Sequence, residues 1–302
     1  MATISVCVAT YRRIDRLALL FSDLKAQSRL PDEVVVVDND ASGSARETVE
    51  HFQAGAPFPM RYEIQPLRNI ALTRNRTVAL ASGEWLAFID DDERAPPAWL
   101  HQLFAAAQRF EADGVLGPVE PIVPDTAPQW IRKGRFYDFA RLPSGATVSL
   151  NRMRFGNVIL AGDRLRAEEG PFDVAYGLTT GEDADLLIRM AAKGAKIVWS
   201  DETIVWEPIE QARLNVRWLL QRALSGGQEF ARKTVAGRYG AVSFVGRSKL
   251  IVRALTQLVA AGTLALLSWP LGKHRAVAWL VKASANLGKI SIFLGWRYQE
   301  YA

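Results

Sequence analysis

One cysteine and three histidines are all that the 302 residues offer to a soft metal or a redox centre. The single Cys7 excludes a disulfide framework, which fits a reducing, cytosolic catalytic body. It lies in the apolar run ISVCVA and is expected to pack there as a small hydrophobe. His51, His101 and His274 are too scattered to form a metal site. The start, MATISVCVATYRR, lacks the basic opening and long apolar core of a signal peptide and reads as a strand. Serine nucleophile elbows and a GxxxxGK[ST] phosphate loop are also missing, as are internal repeats and low-complexity stretches.

Acidic residues nearly vanish toward the C-terminus. From Val245 on there are eight Lys/Arg against Glu300 alone, which leaves 29 basic and 31 acidic residues before it. The net charge of +5 is therefore a body near −2 and a tail of +7. A basic chain raises nucleic acid as a partner, but this charge lies among Leu, Val, Ile and Trp. That mixture points to an anionic membrane surface and not to nucleic acid. Ala254 to Leu267 is apolar except for Thr256, Gln257 and Thr263, short of the roughly 20 residues of a straight span. In AVAWLVKASANLGKISIFLGW, Lys282 and Lys289 lie two turns apart, which predicts a helix lying in the membrane interface. A soluble helical layer is the alternative.

Hydrophobic residues make up 49% of the chain, ample for a sizeable core. TISVCVAT, DEVVVVDND, MRYEIQP and GEWLAFIDDD read as strands. DRLALLFSDLKAQS, SARETVEHFQAG, IALTRNRTVALAS and PAWLHQLFAAAQRF read as helices around them. Continuous apolar strands separated by helices imply βαβ units and a parallel sheet covered on both faces. Ligands of such sheets bind beyond the carboxyl ends of the strands, and those ends carry Thr10-Tyr11-Arg12, Asp38-Asn39-Asp40 and Asp90-Asp91-Asp92. Residues 114–160 are less regular, with five prolines between Pro118 and Pro143. EDADLLIRMAAKG then reads as a helix, AKIVWS as a strand, and 207–235 as a helix. The expected division is a body over 1–244, in two parts that meet at about residue 113. A helical membrane-associating tail follows over 245–302.

EWLAFIDDDE ends an apolar strand on three adjacent carboxylates. Like charges repel, and their burial is costly unless they are paired or metal-bound. One acid before a helix would serve as a cap, but three followed by Glu93 exceed that need. A hard divalent cation such as Mg²⁺ or Mn²⁺, which takes oxygen ligands and bridges diphosphates, accounts for the set better.

Five segments, VCVATYRR, VVVVDND, NIALTRNRTVALASGEWLAFIDDDE, GNVILAGDRL and FDVAYGLTTGEDADLLIRMAAKGAKIVW, occur in that order within roughly residues 3–225. Together they resemble the family-2 nucleotide-sugar glycosyltransferases of the GT-A fold. The resemblance implies an α/β fold with a mixed, mostly parallel sheet, and inverting transfer of a sugar from a nucleotide diphosphate to an acceptor hydroxyl. It makes 1–244 a catalytic domain, with a nucleotide-binding half over about 1–113 and an acceptor half over about 114–244. By position, Thr10 and Tyr11, with Arg12, would form the loop under the base and ribose. Asp38 would accept from the base, with uracil N3–H as the expected donor, unless it only closes a turn after its strand. Arg74 would reach the nucleotide, unless it is a surface helix arginine. Asp90 and Asp92 would hold the Mn²⁺ or Mg²⁺, with Asp91 supporting the nucleotide loop between them. Asp183 would be the base, with Glu182 as second choice, although Thr180-Gly181-Glu182-Asp183 also resembles a capping box. Gly156 and Asn157 would line the acceptor side, with Arg217 and Trp218 in LNVRW.

Two departures from the family pattern stand out. Many relatives carry a histidine beyond the base, whereas here the only later one is His274 and Glu207 occupies the region. Leu214 replaces the glutamine of the QxxRW segment of processive relatives, which argues for a single addition. The expected partners are a UDP-sugar, a lipid-linked saccharide of surface polysaccharide synthesis, and the cytoplasmic face of the cell membrane. A sugar-nucleotide-binding membrane adaptor without catalysis is the alternative; intact Asp92 and Asp183 speak against it. A nucleotidyltransferase would carry a glycine-rich start where ATYRR stands.

Overall fold

The structure, a computed structural model, describes residues 2–299. Four βα units open the chain: β1 (Ile4–Thr10), α1 (Ile14–Lys25), β2 (Glu33–Asp38), α2 (Arg46–Gln53), β3 (Met60–Ile64), α3 (Ile70–Leu80), β4 (Trp85–Ile89) and α4 (Trp99–Arg109). Then follow β5 (Gly114–Leu116), β6 (Val119–Ile122), α5 (Gln129–Gly134), β7 (Asn157–Ala161) and α6 (Gly162–Arg166). The last elements are α7 (Glu182–Ala192), β8 (Ile197–Trp199), β9 (Val205–Pro208), α8 (Val216–Val235), α9 (Phe244–Ser268) and α10 (Lys273–Ser291).

Seven strands form one sheet in the order β3-β2-β1-β4-β7-β5-β8, parallel except for β7, which runs against both neighbours. Alternation along β2 shows why its valines are continuous. Val34 and Val36 join the core under α1, α2 and α4, while Val35 and Val37 join the one under α3 and α7. Both faces are covered, so neither can be polar. Cys7 belongs to the second core, and burial pushes its thiol up to about 12. The register aligns the strand ends that matter: Thr10 lies opposite Asp38, and Ile89, just before the three aspartates, lies opposite Asn157. β6 and β9 form a separate parallel pair.

The helix expected over 207–235 begins later. Val205–Pro208 is β9, residues 211–213 form one 3₁₀ turn, and α8 starts at Val216 under an Asn215 cap that accepts from Trp218 N at 2.9 Å. Pairing with β6 and the Pro208 ring keep the first part extended.

Three long helices close the chain. α10 packs on both α8 and α9. It runs parallel to α8: Ser284 Oγ donates to Leu220 O at 2.7 Å, and Gln228 Nε2 donates to Ser291 Oγ at 2.7 Å. Glycines allow the close approach. A Cβ on Gly227 would lie 1.9 Å from Ala285 O, and one on Gly288 2.1 Å from Leu224 O. The segment expected to lie in the membrane interface, α10, is thus held against α8, and Lys289 rests over the Phe230 ring at 5.4 Å. The broad exposed apolar face belongs to α9 instead. Both segments, Phe244–Leu271 and Lys273–Leu294, are long and apolar enough to cross a membrane.

Gly288→Ala should cost about 1–3 kcal/mol, because a methyl group there must push two backbones apart. Gly262→Ala on α9, with nothing within 4 Å of the added carbon, should be neutral or slightly stabilising. Thermal unfolding of the two full-length variants checks the pair; equal behaviour would mean that the α8–α10 contact is not tight.

Candidate functional site

The loop after β4 turns Asp90, Asp91 and Asp92 into the crevice at the carboxyl ends of β1 and β4. Asp91 ties the strand ends together: Thr10 Oγ1 donates to it at 2.8 Å, and Arg13 Nη1 donates to its other oxygen at 2.8 Å. Asp92 receives Arg13 at 3.1 Å and Arg213 Nη2 at 3.1 Å. Asp90 stands at the mouth and receives Arg74 Nη2 at 3.1 Å.

Arg74, from α3, has a second partner. Its Nη1 donates to Glu182 Oε1 at 2.7 Å and lies 3.9 Å from Asp183 Oδ2. One guanidinium thus joins the aspartate cluster after β4 to the acidic pair that opens α7. Its carbon lies over the rings of Phe155, at 5.1 Å, and Phe172, at 5.8 Å, which hold the side chain in place. Asp183 accepts from Phe155 N at 3.3 Å and Ala184 N at 2.6 Å. Of the pair, Glu182 is buried, whereas 24% of the Asp183 side chain is open. The capping box is not formed: Gly181 is the N-cap, without a side-chain bond, and Thr180 Oγ1 pairs instead with Ser225 Oγ at 2.9 Å.

Around this crevice stand seven acids (Asp90, Asp91, Asp92, Glu93, Glu182, Asp183, Glu207) and four arginines (Arg13, Arg74, Arg154, Arg213). The acids outnumber the arginines, and their titration is set first by burial and then by these neighbours. Burial pushes Asp91 up to about 6 despite Arg13, and pushes Glu182 up to about 8 against the pull of Arg74. Burial, then the charges of Asp90, Asp92 and Glu207, hold Glu93 well above the carboxylate range. Glu207 rises through burial and the nearby Asp92. Asp90 also rises, through burial and then Asp92 and Asp183 against Arg74; with 45% of its side chain open, its shift is the more screened by solvent.

The other sequence candidates divide. The Tyr11 ring lies between the guanidinium groups of Arg12, at 5.2 Å, and Arg68, at 4.8 Å. Arg12 takes the left-handed conformation at φ 55° and donates to Asp40 at 2.7 Å, holding that carboxyl well below its usual range. Asp38 is fully buried and accepts from Asp40 N, Ala45 N and Tyr62 Oη at 2.9–3.0 Å, so it closes the turn after β2. Gly156, at φ 103°, sits where a Cβ would meet Glu93 Oε1 at 2.6 Å. Asn157 is not brought to the cleft surface. It accepts from Trp99 Nε1 at 2.9 Å and donates to Pro118 O at 3.0 Å and to Thr203 O. Arg217 is exposed at the start of α8, and Trp218 stacks on Tyr137 at 5.7 Å.

Sequence reasoning missed Arg13, Arg154 and Arg213 as members of the cluster. The signal was charge balance: an acidic run that must be buried calls for cations, and ATYRR and QARLNVRW supply them. Among the described residues no group of three or more His, Cys, Asp or Glu is arranged to hold a metal ion.

Comparison with known proteins adds the family. The sequence model described as glycosyl transferase family 2 matches residues 5–163, just over half of the chain. The succinoglycan biosynthesis protein ExoM of Rhizobium meliloti (strain 1021) is 32% identical over 294 residues, which are 97% of this chain and 93% of that protein. Galactofuranosyltransferase GlfT1 of Mycobacterium tuberculosis (strain H37Rv) is 37% identical over 122 residues, 38% of each chain. Mannosyltransferase PcManGT from Pyrobaculum calidifontis, solved in complex with GDP-Man and Mn²⁺, is similar in structure with a TM-score of 0.63. It is 18% identical, and the match covers 95% of this chain and 87% of that one. TarS 1-349 of S. aureus in complex with UDP-GlcNAc has a TM-score of 0.54 at 16% identity, over 98% of this chain and 93% of that one. Identities this low carry the fold alone, and that fold is the GT-A-like mixed sheet described above. With the aspartates after β4 and the acidic pair of α7 meeting at Arg74, the match over the first half and the end-to-end relative agree: the chain belongs to glycosyl transferase family 2.

Proposed function

We propose that this chain is an inverting, metal-dependent glycosyltransferase. It moves a sugar from a UDP-sugar to a hydroxyl of a lipid-linked saccharide in polysaccharide synthesis, at the cytoplasmic face of a membrane. Residues 1–244 form the catalytic domain in this reading, and 245–302 the membrane-associating region. The observation that carries it is the placement of Arg74 between Asp90 and Glu182, with Asp183 left partly open beside them. The relative named for succinoglycan biosynthesis, alike over nearly its whole length, supports the polysaccharide pathway.

Chemically, the acceptor oxygen attacks the anomeric carbon from the face opposite the diphosphate, and the bond from that carbon to the β-phosphate oxygen breaks. Asp183 takes the hydroxyl proton as the new bond forms, since an unassisted hydroxyl is a poor nucleophile. Two features suit it to that role: its open side chain, and an orientation fixed by the amides of Phe155 and Ala184. Glu182, buried against Arg74, holds the guanidinium and does not meet the acceptor. Arg13, Arg74 and Arg213 supply positive charge where the diphosphate leaves. Thr10, Tyr11 and Arg12 form the floor for base and ribose, and Asp38 stiffens the turn beside them. Gly156, Arg217 and Trp218 bound the acceptor side.

The excess of carboxylates at the crevice fits a divalent cation, which Asp90 and Asp92 would hold with the remaining positions left to the diphosphate. Such an ion neutralises charge on the leaving nucleotide.

Two measurements test this reading. UDP should raise the melting temperature more with Mn²⁺ or Mg²⁺ present than with EDTA, as expected of linked ligands, and Asp92→Ala should abolish the difference. Equal stabilisation with and without metal would remove the ion from the scheme. Asp183→Asn should leave UDP binding and melting near normal while transfer to acceptor falls roughly 10²–10⁴-fold, the contribution of a general base. Glu182→Gln, which can still accept from Arg74, should be milder. Transfer by Asp183→Asn within a few-fold of the unaltered enzyme would reject the base assignment.

A further inference from the structure

The exposed apolar surface of the chain is concentrated on one helix. Along α9 and the turn after it, Val252, Leu255, Val259, Leu266, Leu267 and Trp269 all face solvent, Leu266 at 78% exposure. The opposite side of the helix is a seam of Ala254, Ala261, Ala265 and Ser268, all buried. By length the helix is sufficient to cross a bilayer: 25 residues at 1.5 Å each give about 38 Å against a hydrocarbon core of about 30 Å. The packing around it points elsewhere.

We infer that α9 and α10 do not cross the membrane, and that the chain docks on an anionic lipid surface with α9 lying in its plane, outer face down. The inference rests on the membrane association proposed above and adds its geometry. α10 follows α8 from end to end. At its start Lys273 rests over Trp130 of α5 at 4.7 Å, and Val277 joins the cluster of Ile131 and Leu219. At its far end Ser291 receives Gln228, and Tyr298 N donates to Gln228 Oε1 at 2.8 Å. α8 in turn is part of the catalytic wall, where Arg232 donates to Thr179 Oγ1 at 2.6 Å. A bilayer normal along α10 would therefore run along α8 as well. It would carry the exposed Arg217 and Arg222 of α8, which lie level with α10, into hydrocarbon together with the body packed on that helix, which is prohibitive.

Charge placement agrees. Exposed Arg247, Lys249 and Arg253 lie at the start of α9, and Lys273 and Arg275 just beyond its end. A spanning hairpin would send that second group across the membrane, against the bias of positive residues toward the cytoplasmic side. A helix lying flat keeps both groups at one anionic surface, with the apolar stripe between them.

The test uses full-length protein added to preformed vesicles of phosphatidylglycerol and phosphatidylcholine. Arg275→Cys should react with a membrane-impermeant maleimide as fast on vesicles as in detergent, while buried Cys7 stays silent. An environment-sensitive dye on Val259→Cys should shift to the blue with the anionic vesicles and much less with phosphatidylcholine alone. Val259→Asp, at a residue exposed in the protein, should weaken vesicle binding at least about tenfold. Protection of the Arg275→Cys thiol until detergent is added would show a crossing and overturn the proposal. So would a dye that does not respond to vesicles, which would mean that the face is bare or covered by a second copy. UDP binding followed in the same samples reports on the catalytic reading separately, since no lipid contact enters it.

Discussion

A guanidinium with a carboxylate on either side holds the candidate site together. Arg74 donates to Asp90 at the end of β4 and to Glu182 at the start of α7, two elements more than 90 residues apart in sequence. Arginine suits the position because its planar fork presents separate donors to separate acceptors, whereas a lysine would present a point charge. The two phenylalanine rings beneath it restrict the side chain to that fork. Removing it would leave two buried or half-buried acids facing each other across the crevice. The end of β4 and the start of α7 would then lose the guanidinium they share.

The surrounding charges follow from the same constraint. Desolvated acids resist ionisation unless cations are near, and burial holds Asp91, Glu93, Glu182 and Glu207 above the usual carboxylate range in spite of the arginines around them. A crevice in that condition favours an incoming cation. It also favours a ligand whose negative charge arrives together with one, as a nucleotide diphosphate does with a divalent ion. The pairing of Asp92 with both Arg13 and Arg213 means that such an ion would compete with guanidinium groups already in place.

Much of the fold was legible because its signals are local. Four apolar strands with polar ends, separated by helices of ordinary length, leave few arrangements other than a covered parallel sheet, and the cluster at the strand ends follows from it. Pairing between distant segments was not legible. Nothing in GNVILAG shows that the Asn157 side chain turns toward Trp99, because that direction depends on the antiparallel insertion of β7. The capping box at Thr180 was a sound local reading that lost to Ser225, contributed by a helix 45 residues later. The composition of α10 is that of an interfacial helix. Only the glycines of two helices meeting in space, Gly227 and Gly288, reveal that it is held against α8.

α8 connects the candidate site with the proposed lipid-facing surface. On one side it touches the loop that opens α7, through Ser225 to Thr180 and through Glu229, whose side chain lies against Gly181. On the other it carries α10, and α10 carries α9. Packed helices stand 8–10 Å apart, so two such steps place the axis of α9 roughly 20 Å from that of α8. With α9 on the lipid and Asp183 as the base, both as proposed above, the stack of helices holds the site away from the bilayer, and an acceptor attached to lipid must bridge that separation.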